Sequence, residues 1–171
     1  MAMYEIVNEV GGVPIKDYIK MFNDTLISEL DKLRDILPDI EEIALGHNIC
    51  KGVINHVDSR KCLVTYALAI YDKYKVQIYE EDLDFFMNAD FTEDIAVVAA
   101  RDDNVDKEKS VMRIDKLKRL AESERLTAEQ KRDVFSVLKV LNSICDLIIE
   151  IHDAEDVSRM VRFKDQSCLK I

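Results

Sequence analysis

Thr127 to His152 reads TAEQKRDVFSVLKVLNSICDLIIEIH, and this stretch decides the fold. Thr127 and Gln130 have the spacing of a capping box, in which each side chain satisfies a backbone N–H left free at the helix entrance. Polar residues then recur at Arg132, Ser136, Lys139, Ser143, Asp146, Glu150 and Asp153. Steps of three and four place them on one narrow face. Val134, Phe135, Val137, Leu138, Val140, Leu141, Ile144, Cys145, Leu147, Ile148, Ile149 and Ile151 make the remainder apolar. A helix of this length spans about 39 Å at ~1.5 Å per residue. So broad an apolar surface needs several neighbours, and the spacing predicts the central helix of a bundle.

The rest of the chain supplies those neighbours. With 171 residues, 48% of them hydrophobic, there is material for one domain with a real core. Four glycines and two prolines are too few for a strand-rich, turn-punctuated fold, which points to an all-α protein. A formal charge of −10 argues against a nucleic-acid binder, because phosphate contacts need clustered Lys and Arg. No apolar run approaches the ~18 residues of a membrane span, and residues 1–15 lack the basic start and apolar middle of a signal peptide. Cys50, Cys62, Cys145 and Cys168 are scattered, as expected of reduced thiols in an intracellular compartment.

Residues 1–14 read as an extended arm, with Gly11-Gly12 and Pro14 breaking any helix. Ile15, Ile19, Phe22, Leu26, Leu30, Leu33 and Leu37 form the stripe of a first helix that Pro38 stops. Asp39 and Glu42 are placed to cap a second helix to about Val57, which Gly46 and Gly52 weaken. A third starts at Asp58 or Ser59, with Leu63, Tyr66, Ala67, Ile70, Tyr71 and Tyr74 inward. Phe85-Phe86-Met87 reads as an amphipathic turn with its aromatics in the core, and Phe91-Thr92 opens a short helix through Ala99. Residues 101–107 are the expected exposed loop. Ser110 to Glu124 is a further helix with Met112, Leu117, Leu120 and Ala121 inward. Residues 154–171 read as a mixed-charge tail, adding a helical turn or two or wrapping onto a partner. The division is thus an arm (1–14), a helical bundle domain (15–153) of about six helices, and a tail (154–171).

Local chemistry is sparse. His47 and Cys50 share a helix face with His56 and Cys62 following, but a structural zinc site draws its four ligands from tight pairs, and these residues make none. Asp102-x-Asn104-x-Asp106 opens like a calcium loop, yet Lys107 stands where the turn needs Gly and Arg113 where it needs a bidentate Glu. Cys145 is embedded in an apolar run, where burial suppresses the thiolate. Glu80 to Asp84 is the acidic entrance of a helix. No Gly-rich phosphate loop, G-x-S-x-G or H-E-x-x-H occurs. The expectation is a protein without metal, cofactor or catalytic site. Lys107, Lys109, Arg113, Lys116, Lys118, Arg119 and Arg125 interleave with acids, giving a mixed-charge helix suited to an acidic protein partner.

Three stretches together carry a resemblance. Phe22-Asn23-Asp24-Thr25-Leu26-Ile27-Ser28 runs on to Leu37-Pro38. Asp82 leads through Asp84-Phe85-Phe86-Met87-Asn88-Ala89-Asp90-Phe91. Ile114-Asp115-Lys116-Leu117-Lys118 is followed by Lys131, Val134-Phe135, Leu138 and Leu141. In this order they resemble a family of small helical proteins of large nucleocytoplasmic double-stranded DNA viruses. That family carries an F-N-x-x-L-I helix, a D-E-x-F-F-L-x-x-D-Y box and a closing helix pair. Phe135, Phe91 and Met87 here replace a Trp, Tyr and Leu of the pattern, conserving apolar bulk. The resemblance, over residues 15–150, implies a non-enzymatic minor capsid protein that cements or links arrays of major capsid protein, to each other or to the inner membrane. Its partners would be the major capsid protein and other minor capsid proteins, and its place the virion after assembly in host cytoplasm. A non-structural regulatory protein of such a virus, or a motif-free helical enzyme, are the alternatives. The candidate contacts are Tyr4, Ile6 and Val10 on the arm and Met160, Val161 and Phe163 on the tail, apolar groups the bundle is not expected to bury.

Overall fold

The computed structural model of the chain describes residues 9–10, 12–100, 102–153, 159–165 and 168–169. Eight α-helices make up most of it, so the all-α expectation holds with more, shorter helices than the sequence suggests. Helix α1 is Ile15–Ile36, starting directly after Pro14, and α2 is Glu41–His56, unbroken through both glycines. Helix α3, Lys61–Tyr66, runs into a π-helical turn, Ala67–Tyr71. Then come α4 (Lys75–Tyr79), α5 (Leu83–Asn88), α6 (Thr92–Ala99), α7 (Lys107–Glu122) and α8 (Ala128–Ile148). Asp82 and Asp106 cap α5 and α7 through backbone N–H groups of Phe85 and Lys109. The capping box at α8 is present: Thr127 N donates to Gln130 Oε1 at 2.8 Å, and Gln130 N to Thr127 Oγ1 at 3.1 Å.

Short strands precede the first helix and follow the last one. Glu9–Val10 (β1) pairs antiparallel with Val13–Pro14 (β2) around Gly12, whose φ of 79° suits a residue without a Cβ. Ile149–Asp153 (β3), Arg159–Phe163 (β4) and Cys168–Leu169 (β5) form an antiparallel sheet in that order.

The sheet corrects the sequence reading of both α8 and the tail. The helix stops at Ile148, and Ile149-Glu150-Ile151-His152 is strand. The tail supplies strands, not helical turns, in its described residues. Ile149 pairs with Phe163 and Ile151 with Val161, so a partner ten or more residues ahead decides the conformation. Strand alternation sends Val161 and Phe163 to the core face, where they are 0% and 2% exposed. They join Ile15, Ile19 and Phe22 of α1, Leu63 and Val64 of α3, the π turn, and Leu141, Ile144, Cys145 and Ile148 of α8 in one hydrophobic core. A smaller cluster, Leu37, Ile43 and Leu126, closes the opposite end.

Two further expectations change. The N-cap of α2 is Ile40, with no side-chain cap. Asp39 and Glu42 instead reach across the bundle, to Arg125 and to Lys116 Nζ at 2.8 Å. On α7, Met112 and Leu117 point outward, Met112 being 69% exposed, while Ile114 faces the interior. Leu120 does pack inward, against the Leu37, Ile43 and Leu126 cluster.

Candidate functional site

Two of the tail contacts expected from the sequence, Val161 and Phe163, are not on the surface. Val161 and Phe163 are spent in the chain's own core, so neither is free to anchor a partner. Met160 pairs through its backbone with His152, and Val10 with Val13; the side chains of both, like Tyr4 and Ile6 altogether, lie outside the described residues.

Most of the polar candidates are engaged within the chain, and His56 is exposed. His47 is 3% exposed, with Nδ1 3.2 Å from Arg34 Nη1 and Nε2 2.8 Å from Asp31 Oδ1. A guanidinium can only donate, so Nδ1 accepts from Arg34, while Nε2 lies close to the carboxylate without making a hydrogen bond to it. Cys50 interacts not with His47 but with Cys62 on α3. The Cys62 thiol donates to Cys50 and lowers the latter's pKa, while the same bond and burial raise that of Cys62. Burial pushes Cys145 up to about 12. Asp102 binds Lys61 Nζ at 2.7 Å and the Asn104 N–H at 3.0 Å, and Asp106 caps α7, so the calcium-like loop is tied to its own helices. Among the described residues no group of three or more His, Cys, Asp or Glu side chains is placed to hold a metal. Nor is any helix among them long and apolar enough to cross a membrane.

The cations of α7 are partly used in the same way. Lys116 clamps Glu42, and Lys118 donates to the Ala89 carbonyl while lying 5.0 Å over the Phe91 ring. On the other side of the bundle Tyr71 donates to Asp146, which also accepts from Lys75 Nζ at 2.6 Å. Burial, then the bond to Asp146, raises the Tyr71 phenol, which therefore stays protonated as a donor. At Asp146 burial works against the charge, but Lys75 and Tyr71 outweigh it and hold the carboxyl below its usual range.

Two features stand out that the sequence did not single out. The first is the outer face of α2. Leu45 and Ile49 are 39% and 50% exposed, and Val57, just past the helix end, 69%. Gly46 and Gly52 on the same helix face open space: a Cβ at either would meet nothing within 4 Å.

The second is a cavity of about 380 Å³, partly open to solvent. Ala69 and Ile70 of the π turn, Ile78 of α4, Phe86 of α5, Ile95 and Val98 of α6, Ile114 of α7 and Leu138 of α8 line it. Its aromatic wall is built around Tyr74, whose ring lies 5.8 Å from Phe86 and 5.6 Å from Phe91 in edge-on contact. Tyr74 Oη donates to Asp94 Oδ2 at 2.6 Å, and Lys73 Nζ binds Asp94 Oδ1 at 2.8 Å. The Phe85-Phe86-Met87 triplet, expected in the core, is half-buried instead, because Phe86 borders this space. The cavity is assembled from six elements, so no local motif announces it.

Comparison with known proteins adds no relative: no family model, curated protein sequence or solved structure matches this chain.

Proposed function

We propose that this chain is a non-enzymatic structural protein of the minor capsid type, working through contacts with the major capsid protein and other minor capsid proteins in the virion. The resemblance of residues 15–150 is what supports a viral reading. The structural observation that supports a contact role is the outer face of α2. Glycine within a helix costs about 1 kcal/mol relative to alanine, and nothing in this fold needs a missing Cβ at Gly46 or Gly52. A partner backbone approaching closely beside Leu45 and Ile49 would use that space, and exposed apolar side chains would supply the burial energy. The net charge of −10 and the internally paired polar groups fit a protein that packs on other proteins.

Quantitative mass spectrometry of purified particles tests this reading. A fixed copy number against the major capsid protein is expected, with host cytoplasm as the site before assembly. Ile49→Lys should sharply reduce incorporation while leaving the melting temperature unchanged, because the side chain is half in water already. Deleting residues 1–8, which carry Tyr4 and Ile6, should lower incorporation likewise if the arm is a second contact. Absence from particles together with abundance in infected cytoplasm would overturn the capsid role and favour a regulatory binding protein.

A further inference from the structure

We infer that the cavity between the π turn and helices α4 to α8 is a binding site for an uncharged, largely hydrocarbon small molecule. The packing of the bundle is uneven in a way that calls for an occupant. Helices α5 and α7 contribute no fully buried side chain, and α6 contributes Ile95 alone. Protein interiors normally close to crystal-like density. Here the π turn and α5 to α8 instead hold Ile70, Phe86, Phe91, Val98, Ile114 and Leu138 half-buried around one space. A π-helical turn supplies part of the wall, and such turns are frequent at functional sites because they widen the local backbone.

The chemistry of the walls selects the occupant. The polar side chains that line the space are Tyr74, Asp94 and Ser110. Tyr74 donates to Asp94, whose other oxygen holds Lys73, and Ser110 Oγ donates to the Asp106 carbonyl. A stable water needs two to four polar partners, and these groups are already engaged with one another, so the site favours an apolar occupant over ordered water. A ligand carboxylate would meet Asp94 with its cation already committed. The volume of about 380 Å³ lies within the range of small-molecule sites and is too small for a partner helix. At the ~30 Å³ that a water occupies in the liquid, it holds roughly a dozen non-hydrogen atoms. A linear alkyl alcohol of ten carbons is of that size.

Titration of the full-length protein with 1-decanol, followed by methyl-resolved NMR, tests the site. Saturable shifts are expected at Ile70, Ile78, Ile95, Val98, Ile114 and Leu138, with Ile144, Ile148 and Val161 of the main core unmoved. Decanoate at neutral pH should bind roughly tenfold more weakly or worse, because its charge has no free partner in the lining. Ile114→Trp fills the space and should abolish the shifts without lowering the melting temperature. Should that variant fold poorly, Val105→Trp, at the loop edge of the cavity, carries the same expectation. Shifts spread over the whole molecule, no saturation up to the solubility limit of 1-decanol, or equal binding by a folded filled variant would overturn the inference. Binding that appears only after residues 1–10 are removed would assign the space to the chain's own arm, and would overturn it too.

Discussion

Asn142 has no exposed surface, and its side-chain carbonyl accepts from Tyr66 Oη at 2.5 Å across the interface of α8 and α3. Its amide nitrogen has no hydrogen-bond partner among the described residues, so the pair is a half-satisfied buried network. The Leu138 carbonyl, 3.2 Å from the same hydroxyl, is a second and weaker acceptor for its one proton, and burial raises the phenol well above the ordinary range. Tyr66→Phe strips Asn142 of its remaining partner and should cost about 1–3 kcal/mol in urea unfolding. Asn142→Leu should cost less, since Tyr66 keeps Leu138, and adding it to Tyr66→Phe should recover much of the loss. The opposite order of the two single variants would sink this account. Asp102 behaves differently because it is paired with a charge. Lys61 first, then the Asn104 N–H, holds its pKa below that of a free aspartate. Its folded pKa is therefore below the unfolded value. The stabilisation is complete above the unfolded pKa of ~3.9 and lost as pH falls through the folded one. Asp102→Asn should lower stability by up to about 1 kcal/mol at neutral pH, with the gap to the parent closing in strong acid. A gap that persists there would mean that shape, not charge, carries the effect.

At the scale of the element, what the sequence made legible were the features written locally. The α1 stripe, its stop before Pro38, the Thr127–Gln130 capping box and the Thr92–Ala99 helix all depend on residues within a turn or two of one another. What escaped depends on distant partners. Ile149 to Asp153 continues the polar spacing of α8, yet pairing with Arg159–Phe163 draws it into a strand. Asp39 and Glu42 look like caps and act as ion-pair partners of residues far along the chain. The cavity was invisible for the same reason, since its lining comes from Ala69 to Leu138. The glycines of α2 give an element-scale prediction that separates folding from binding. Gly46→Ala and Gly52→Ala place a methyl in open space and restrict the unfolded chain. Each should stabilise the protein by about 0.4–1 kcal/mol in thermal unfolding. If the outer face of α2 is a close contact, Gly52→Leu should keep that stability and still impair incorporation into particles. A destabilised Gly52→Ala would show an unrecognised packing constraint on α2.

The whole molecule divides by how tightly it is packed. One side holds α1, α3, the C-terminal part of α8 and β3–β4 around Phe22, Ile148, Val161 and Phe163, each with almost no exposed surface. The other side is α5, α6 and α7 around the cavity, tied by exposed or half-exposed contacts such as Lys116–Glu42 and Lys73–Asp94. Surface ion pairs of this kind contribute about 0–1 kcal/mol each, far less than a filled core. Opening free energies follow local burial, so native-state hydrogen exchange should find two levels. Amides of α5 to α7 should exchange through a partial opening while those of α1, α3 and β3–β4 exchange only on global unfolding. Phe163→Ala tests the partition from the other direction. It empties the site of a side chain 2% exposed and should lower global stability by about 3–5 kcal/mol. The partial opening of α5 to α7 should keep its own free energy, because those three helices contribute no residue to the core cluster that Phe163 joins. The two levels then move towards each other as the upper one falls. Uniform protection in the parent, or an equal drop at both levels in Phe163→Ala, would mean that the bundle and its cavity open as a single cooperative unit.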